Sequence, residues 1–194
     1  MALYHFSVKQ VSRGKGQTVV NSAAYISGQK LYNDYYGQTH DYTKKSGVVF
    51  TEILTPEYVP ERLTNRETLW NEVEKIEKGK RAQLAYTFDI ALQNELTLDE
   101  NIELARAFCR EQFVARGMIV DLAVHEGNPR MRMNQIIHIF MYLLLSDLLQ
   151  KKEAGATSKE GNMFWMKTEI RLKMPKERIY SMLFPLPDGM IRSF

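Results

Sequence analysis

The chain has 194 residues, 44% hydrophobic and 25% charged, enough for one globular domain with a real core. A formal net charge of +3 permits nucleic-acid binding without demanding it; the single cysteine, Cys109, excludes a disulfide framework or a cysteine-rich zinc site and suits a reducing cytosol. Met1 to His5 lacks the charged-then-apolar pattern of a secretory signal, and the longest apolar run, Ile136 to Leu145, falls short of the ~20 residues that cross a bilayer, so a cytoplasmic protein with no membrane partner is expected.

Residues 3–11 alternate, with Tyr4, Phe6, Val8 and Gln10 on one side and His5, Ser7 and Lys9 on the other, as in a half-buried strand. Ser12 to Gln17 is a basic, glycine-rich loop, and Val19 to Ser27 reads as a short helix with Gly28 near its C-cap. Residues 31–46 are polar and aromatic, with a turn at Lys45-Ser46-Gly47. Val48 to Leu54 is a second strand, and Pro56 and Pro60 mark a loop. A helix begins at Asn65 and runs to Lys78, with Leu69, Trp70, Val73 and Ile76 on one face.

Leu84 to Leu92 is a third strand. Thr97 and Glu100 form a capping box for a helix to Ala115, closed by Gly117, and Met118 to His125 is a fourth strand. Strands and helices alternate around a central sheet, so the class is α/β or α+β. After Pro129 the character changes: Met133 to Gln150 prefers helix, Lys151 to Asn162 is polar, and Trp165 to Phe194 has no clear period.

One constellation carries chemistry. Tyr4-His5-Phe6-Ser7-Val8-Lys9 leads through the basic loop to Asn21-Ser22-Ala23-Ala24-Tyr25-Ile26-Ser27-Gly28. It is followed by His40-Asp41-Tyr42-Thr43-Lys44-Lys45, Leu69-Trp70-Asn71-Glu72-Val73-Glu74, Phe88-Asp89-Ile90-Ala91-Leu92 and Arg116 to His125. In this order and spacing, residues 1–127 resemble the opening of the MobA/MobL plasmid relaxases. The resemblance implies an α+β fold of the relaxase (HUH endonuclease) type, a ferredoxin-like palm whose antiparallel sheet carries helices on one side. It also implies metal-dependent, strand-specific nicking of DNA at a plasmid transfer origin during mobilisation or conjugative transfer.

In such an enzyme Tyr25 would be the nucleophile, keeping the 5′ end as a phosphotyrosine. A free phenol titrates near 10, so it needs help at neutral pH, and a divalent cation, Mg or Mn, is the expected cofactor. Read without the resemblance, Tyr25 is a helix residue packing on the sheet. His125 matches the first metal ligand. The family's Asn-Pro-His-x-His pattern should follow it, and this chain offers only His138, in an apolar stretch that more often packs than ligates. Lys9, Arg13, Lys15, Lys44 and Lys45 are the expected DNA contacts, with single-stranded origin DNA as partner and auxiliary mobilisation proteins beside it. Tyr35, Tyr36 and Tyr42 are expected to stack on unpaired bases. The bland reading of each cation is a solvated surface charge, and of Lys78-Gly79-Lys80-Arg81 a helix end. Glu52, Asp89 and Glu95 are read as structural.

A slip of one base near Asn128 accounts for the missing pattern. In the frame one nucleotide upstream, Gln135 to Tyr142 permits Asp-Asn-Pro-His-Phe-His-Val, and the same frame continues to give family-like sequence. The expected organisation is thus a partial nicking domain at 1–127 and a non-family, out-of-frame tail at 128–194. The sheet should then be incomplete, lacking the strand beside His125, with impaired nicking and weak metal binding. The alternative is a non-catalytic DNA-binding remnant or pseudogene product.

Overall fold

A computed structural model of the protein describes residues 5–126 and the backbone course of 135–142. All of them belong to the first of the two units into which the chain divides, Met1–Leu148. Apart from 135–142, the segment expected to be an out-of-frame tail lies outside the described residues.

In chain order the elements are β1 (Phe6–Ser12), α1 (Val19–Ser27), β2 (Lys30–Asn33), β3 (Gln38–Asp41), β4 (Val48–Leu54), α2 (Arg66–Ile76), β5 (Gln83–Ala91), α3 (Leu98–Gln112), β6 (Ile119–Glu126) and β7 (Gln135–Tyr142). β1, β5, β7, β6 and β4 lie side by side in that order as a five-stranded sheet, and every neighbouring pair is antiparallel. The α+β, antiparallel reading therefore holds. Among the described residues no helix is long and apolar enough to cross a membrane.

Two expectations need correction. The sheet does not lack its central member. Gln135–Tyr142 pairs with β5 on one side and β6 on the other, Ile139 lying opposite both Phe88 and Leu122. A short run rich in isoleucine and aromatics suits a strand between two others, and an apolar run of this length carries no period to distinguish it from a helix. Nor do the helices keep to one side. Along β6, Asp121 and His125 bond to α2 and α1, whereas Glu52, paired in register with Leu122 on the opposite face, bonds to Arg106 of α3. The physical reason is that β6 is buried on both faces from Ile119 to His125, so each face needs a helix over it. The Phe113 ring meets both Phe88 of β5 and Phe108 of α3, each at 5.5 Å between centroids.

The helices form where their ends are satisfied. Thr97 and Glu100 exchange both bonds of the capping box at α3, and the Asn65 side chain accepts from Thr68 N at α2. Val19, Val20, Ala23, Ala24 and Ile26 give α1 its buried stripe. The β2–β3 hairpin was not foreseen, since only Leu31 and Asn33 of its first strand are buried. Its turn is nonetheless built from ordinary turn chemistry: Asn33 Oδ1 accepts from Tyr35 N and Tyr36 N, and Gly37 takes φ 63°.

Candidate active site

The last turn of any helix leaves carbonyls without intrahelical partners. In α1 these are filled by three different sources. Ala24 O accepts from the N–H groups of Gly28 and Gln29, with Gly28 in the left-handed conformation at φ 63°. Tyr25 O accepts from Lys45 Nζ at 2.7 Å. Ile26 O accepts from His125 Nε2 at 2.6 Å. A lysine and a histidine thus hold the negative end of the helix dipole. The other end of α1 is held by Glu74, fully buried, whose Oε1 accepts from Val19 N at 2.9 Å.

This arrangement presents Tyr25. Ala23, Ala24 and Ile26 do the packing, while the Tyr25 side chain stands away from the sheet and the residue is 52% exposed. Its ring meets Tyr42 edge-on at 5.3 Å between centroids, and Lys45 Nζ lies 3.7 Å from its centroid. The Tyr42 hydroxyl donates to Asn21 Oδ1 at 2.9 Å. Burial holds the Lys45 ammonium below the usual lysine range. The Tyr42–Lys45 turn is closed by Lys45 N donating to Tyr42 O, and the loop is docked on the sheet by Glu126 N donating to Gly47 O at 2.7 Å.

His125 is 8% exposed and stands opposite Val48 on β4 and Ile136 on β7. A neutral imidazole that donates from Nε2 carries its acceptor lone pair on Nδ1. β7 occupies the position beside His125 where the resemblance puts the histidine pair, but its sequence contains one histidine, His138, in register with Asp89 and Ala123. Three carboxylates of the sheet are committed elsewhere. Asp121 accepts from Arg66 and Trp70, Asp89 accepts from Ser7 and Lys9, and Glu52 pairs with Arg106. Among the described residues no group of three His, Cys, Asp or Glu side chains is arranged to hold a metal ion. The described donors do not fit a three-ligand site.

The cations expected at DNA divide in the structure. Lys15 and Lys44 are exposed, as is Lys9, which pairs with Asp89 at 3.1 Å. Lys45 turns inward onto Tyr25. Arg13 differs from all of these. Its side chain is 8% exposed, it pairs with Glu74 at 2.6 Å, and its guanidinium lies 4.5 Å from the Tyr35 ring centroid. It braces the start of α1 instead of facing solvent. Tyr35 and Tyr36 are exposed on the hairpin, edge to face at 4.7 Å, whereas Tyr42 is spent on Tyr25. Sequence reading passed over Glu74 and Asn21, whose partners lie 55 and 21 residues away with no local signal to announce them.

Comparison with known proteins follows the same geometry. The model of the MobA/MobL family matches residues 17–176. The chain is 36% identical over 177 aligned residues to the conjugal transfer protein TraA of Agrobacterium fabrum, covering 84% of this chain and 16% of that protein. It is 34% identical to the mobilization protein MobL of Acidithiobacillus ferridurans, covering 64% of this chain and 32% of that one. The chain therefore spans a minor part of the length of the curated relatives it matches. A solved structure described as "Molecular Basis of Vancomycin Resistance Transfer in Staphylococcus aureus" superposes with a TM-score of 0.67 at 33% identity, over 75% of this chain and 74% of that one.

Proposed function

This chain belongs to the MobA/MobL family, and from that premise we propose that it is the DNA-processing domain of a plasmid mobilisation relaxase, acting on single-stranded DNA at a transfer origin. One observation carries the reading. Tyr25 is an exposed phenol on a helix end whose carbonyls are gripped from two other elements and whose ring is held by Lys45 and Tyr42. Such pre-set geometry is what a nucleophile needs. The Tyr25 oxygen attacks the phosphorus of the scissile phosphodiester and gives up its proton. The bond from phosphorus to the 3′ oxygen breaks, a free 3′-hydroxyl leaves, and the 5′ end stays on the enzyme as phosphotyrosine. Reversal by a 3′-hydroxyl rejoins the strand. Exposed Lys9, Lys15 and Lys44 supply salt-dependent phosphate contacts, and Tyr35 and Tyr36 offer faces for unpaired bases.

No step is assigned to a metal, because the described donors do not assemble a site for one. A second reading, a DNA-binding domain that does not cleave, rests on the single histidine in the sequence of β7, where the resemblance expects a pair. The one-base slip near Asn128 would account for the missing histidine, whereas the family match continues across that point to residue 176. Reading the gene across codons 125–145 decides it: codons unable to spell the histidine pair in the upstream frame end the slip.

The enzymatic reading is tested with labelled single-stranded oligonucleotides tiling the transfer origin and Mn²⁺. A covalent protein–DNA adduct on a denaturing gel, absent in Tyr25→Phe, is the expected result. Salt-sensitive binding with no adduct in the wild type supports the second reading.

A further inference from the structure

We propose that Lys45 is a positioning residue for Tyr25, holding its backbone and ring in place, instead of a phosphate contact. The inference rests on the reading of Tyr25 as the nucleophile. Lys45 and its neighbour Lys44 look equivalent in sequence, but Lys44 is exposed and Lys45 is drawn in. One of the three Lys45 donors is used on Tyr25 O at 2.7 Å, which places the ammonium 3.7 Å from the ring centroid of the same residue. The lysine therefore holds both the backbone and the ring of Tyr25.

Tyr42, from the same loop, closes on the ring edge-on, and its hydroxyl is anchored by Asn21, one turn before Tyr25 on α1. The groups gathered around this helix end are thus Asn21 from α1, Tyr42 and Lys45 from the loop, and His125 from β6, the last bonded to Ile26 O. Of the loop's carboxylates, Asp41 is occupied by the backbone N–H and hydroxyl of Thr43. An ammonium lying over an aromatic face is attracted to it electrostatically, which fixes the place of the Tyr25 ring beside the loop. Partial burial, which holds the Lys45 ammonium below the usual lysine range, agrees with a charge turned away from water.

The test uses the full chain as wild type, Lys45→Ala and Lys45→Arg, each checked for the same thermal melt. Hydroxyl-radical footprinting, quantified by peptide mass spectrometry against the exposed Tyr58, reads how far the Tyr25 ring is covered. Lys45→Ala is expected to raise the Tyr25 to Tyr58 ratio about twofold or more, and arginine is expected to restore it, because a guanidinium can take the same place over the ring. An unchanged ratio in Lys45→Ala, or no rescue by arginine, overturns the proposal. Lys45→Gln supplies a second uncharged variant should the alanine variant not fold. In the oligonucleotide assay, Lys45→Ala should slow adduct formation while leaving oligonucleotide affinity within about twofold, and a matching loss of affinity overturns the proposal in favour of a phosphate contact. Absence of any adduct in the wild type would count against the nucleophile reading, and the footprinting ratio would still judge Lys45.

Discussion

Asp121 shows how much a single buried side chain can carry. It is fully buried, accepts from Arg66 Nε and Nη2 at 2.8 Å each, and accepts from Trp70 Nε1 at 2.9 Å. The pair itself earns little against desolvation, but losing one partner strands the other charge in the interior. Asp121→Ala should therefore cost about 3–5 kcal/mol in urea unfolding. Mutating Arg66 as well should cost less than the sum of the two single changes. Cys109 is a second residue-scale case. It is fully buried, and burial pushes its thiol up, so it stays protonated and unreactive. Iodoacetamide should leave the native protein unlabelled and modify Cys109 only as the chain unfolds, as followed by mass spectrometry. Neither partner of Asp121 was legible in the sequence. The alternation of Ile119 to His125 announces a strand, but which helix residue meets an aspartate 51 or 55 positions away is a matter of packing.

At the scale of elements, α1 is held at both ends by residues from elsewhere in the chain, and its conformation at Gly28 matters to the site. An added Cβ at Gly28 meets Val48 Cγ2 at 3.1 Å, and the residue sits at φ 63°. Gly28→Ala should destabilise the protein by about 1–2 kcal/mol, seen as a lower melting temperature, and should also slow any Tyr25 chemistry. Thr97→Ala removes a capping box far from that site and should cost about 1 kcal/mol without touching it. This contrast separates stability from function. The helices and four of the five sheet strands were legible because their signals are local: caps, a closing glycine, and periods of two or near four. The hairpin escaped because most of its side chains face water, and β7 escaped because Gln135–Tyr142 is a short apolar run with no alternation to read. Tyr25 and His125 were reached through resemblance. That both serve one helix end is a product of the register between β4 and β6 and of α1 lying on that face, neither of which a linear pattern contains.

At the scale of the molecule, β7 is the keystone of the sheet. β5 and β6 bond to it and not to one another. Ile139→Pro removes a ladder donor from the middle of this strand, and circular dichroism should report loss of the cooperative unfolding transition, not a modest shift in its midpoint. Among the described strands of this sheet, β7 is also the last to be made. While a ribosome has delivered only as far as residue 126, the growing chain can assemble two separate ribbons, β1 with β5 and β4 with β6, each with a bare hydrogen-bonding edge awaiting the same insert. Synthesis halted in that interval would leave two adhesive borders on one polypeptide, an invitation to pair with a neighbouring copy that is withdrawn only when Gln135–Tyr142 threads between them.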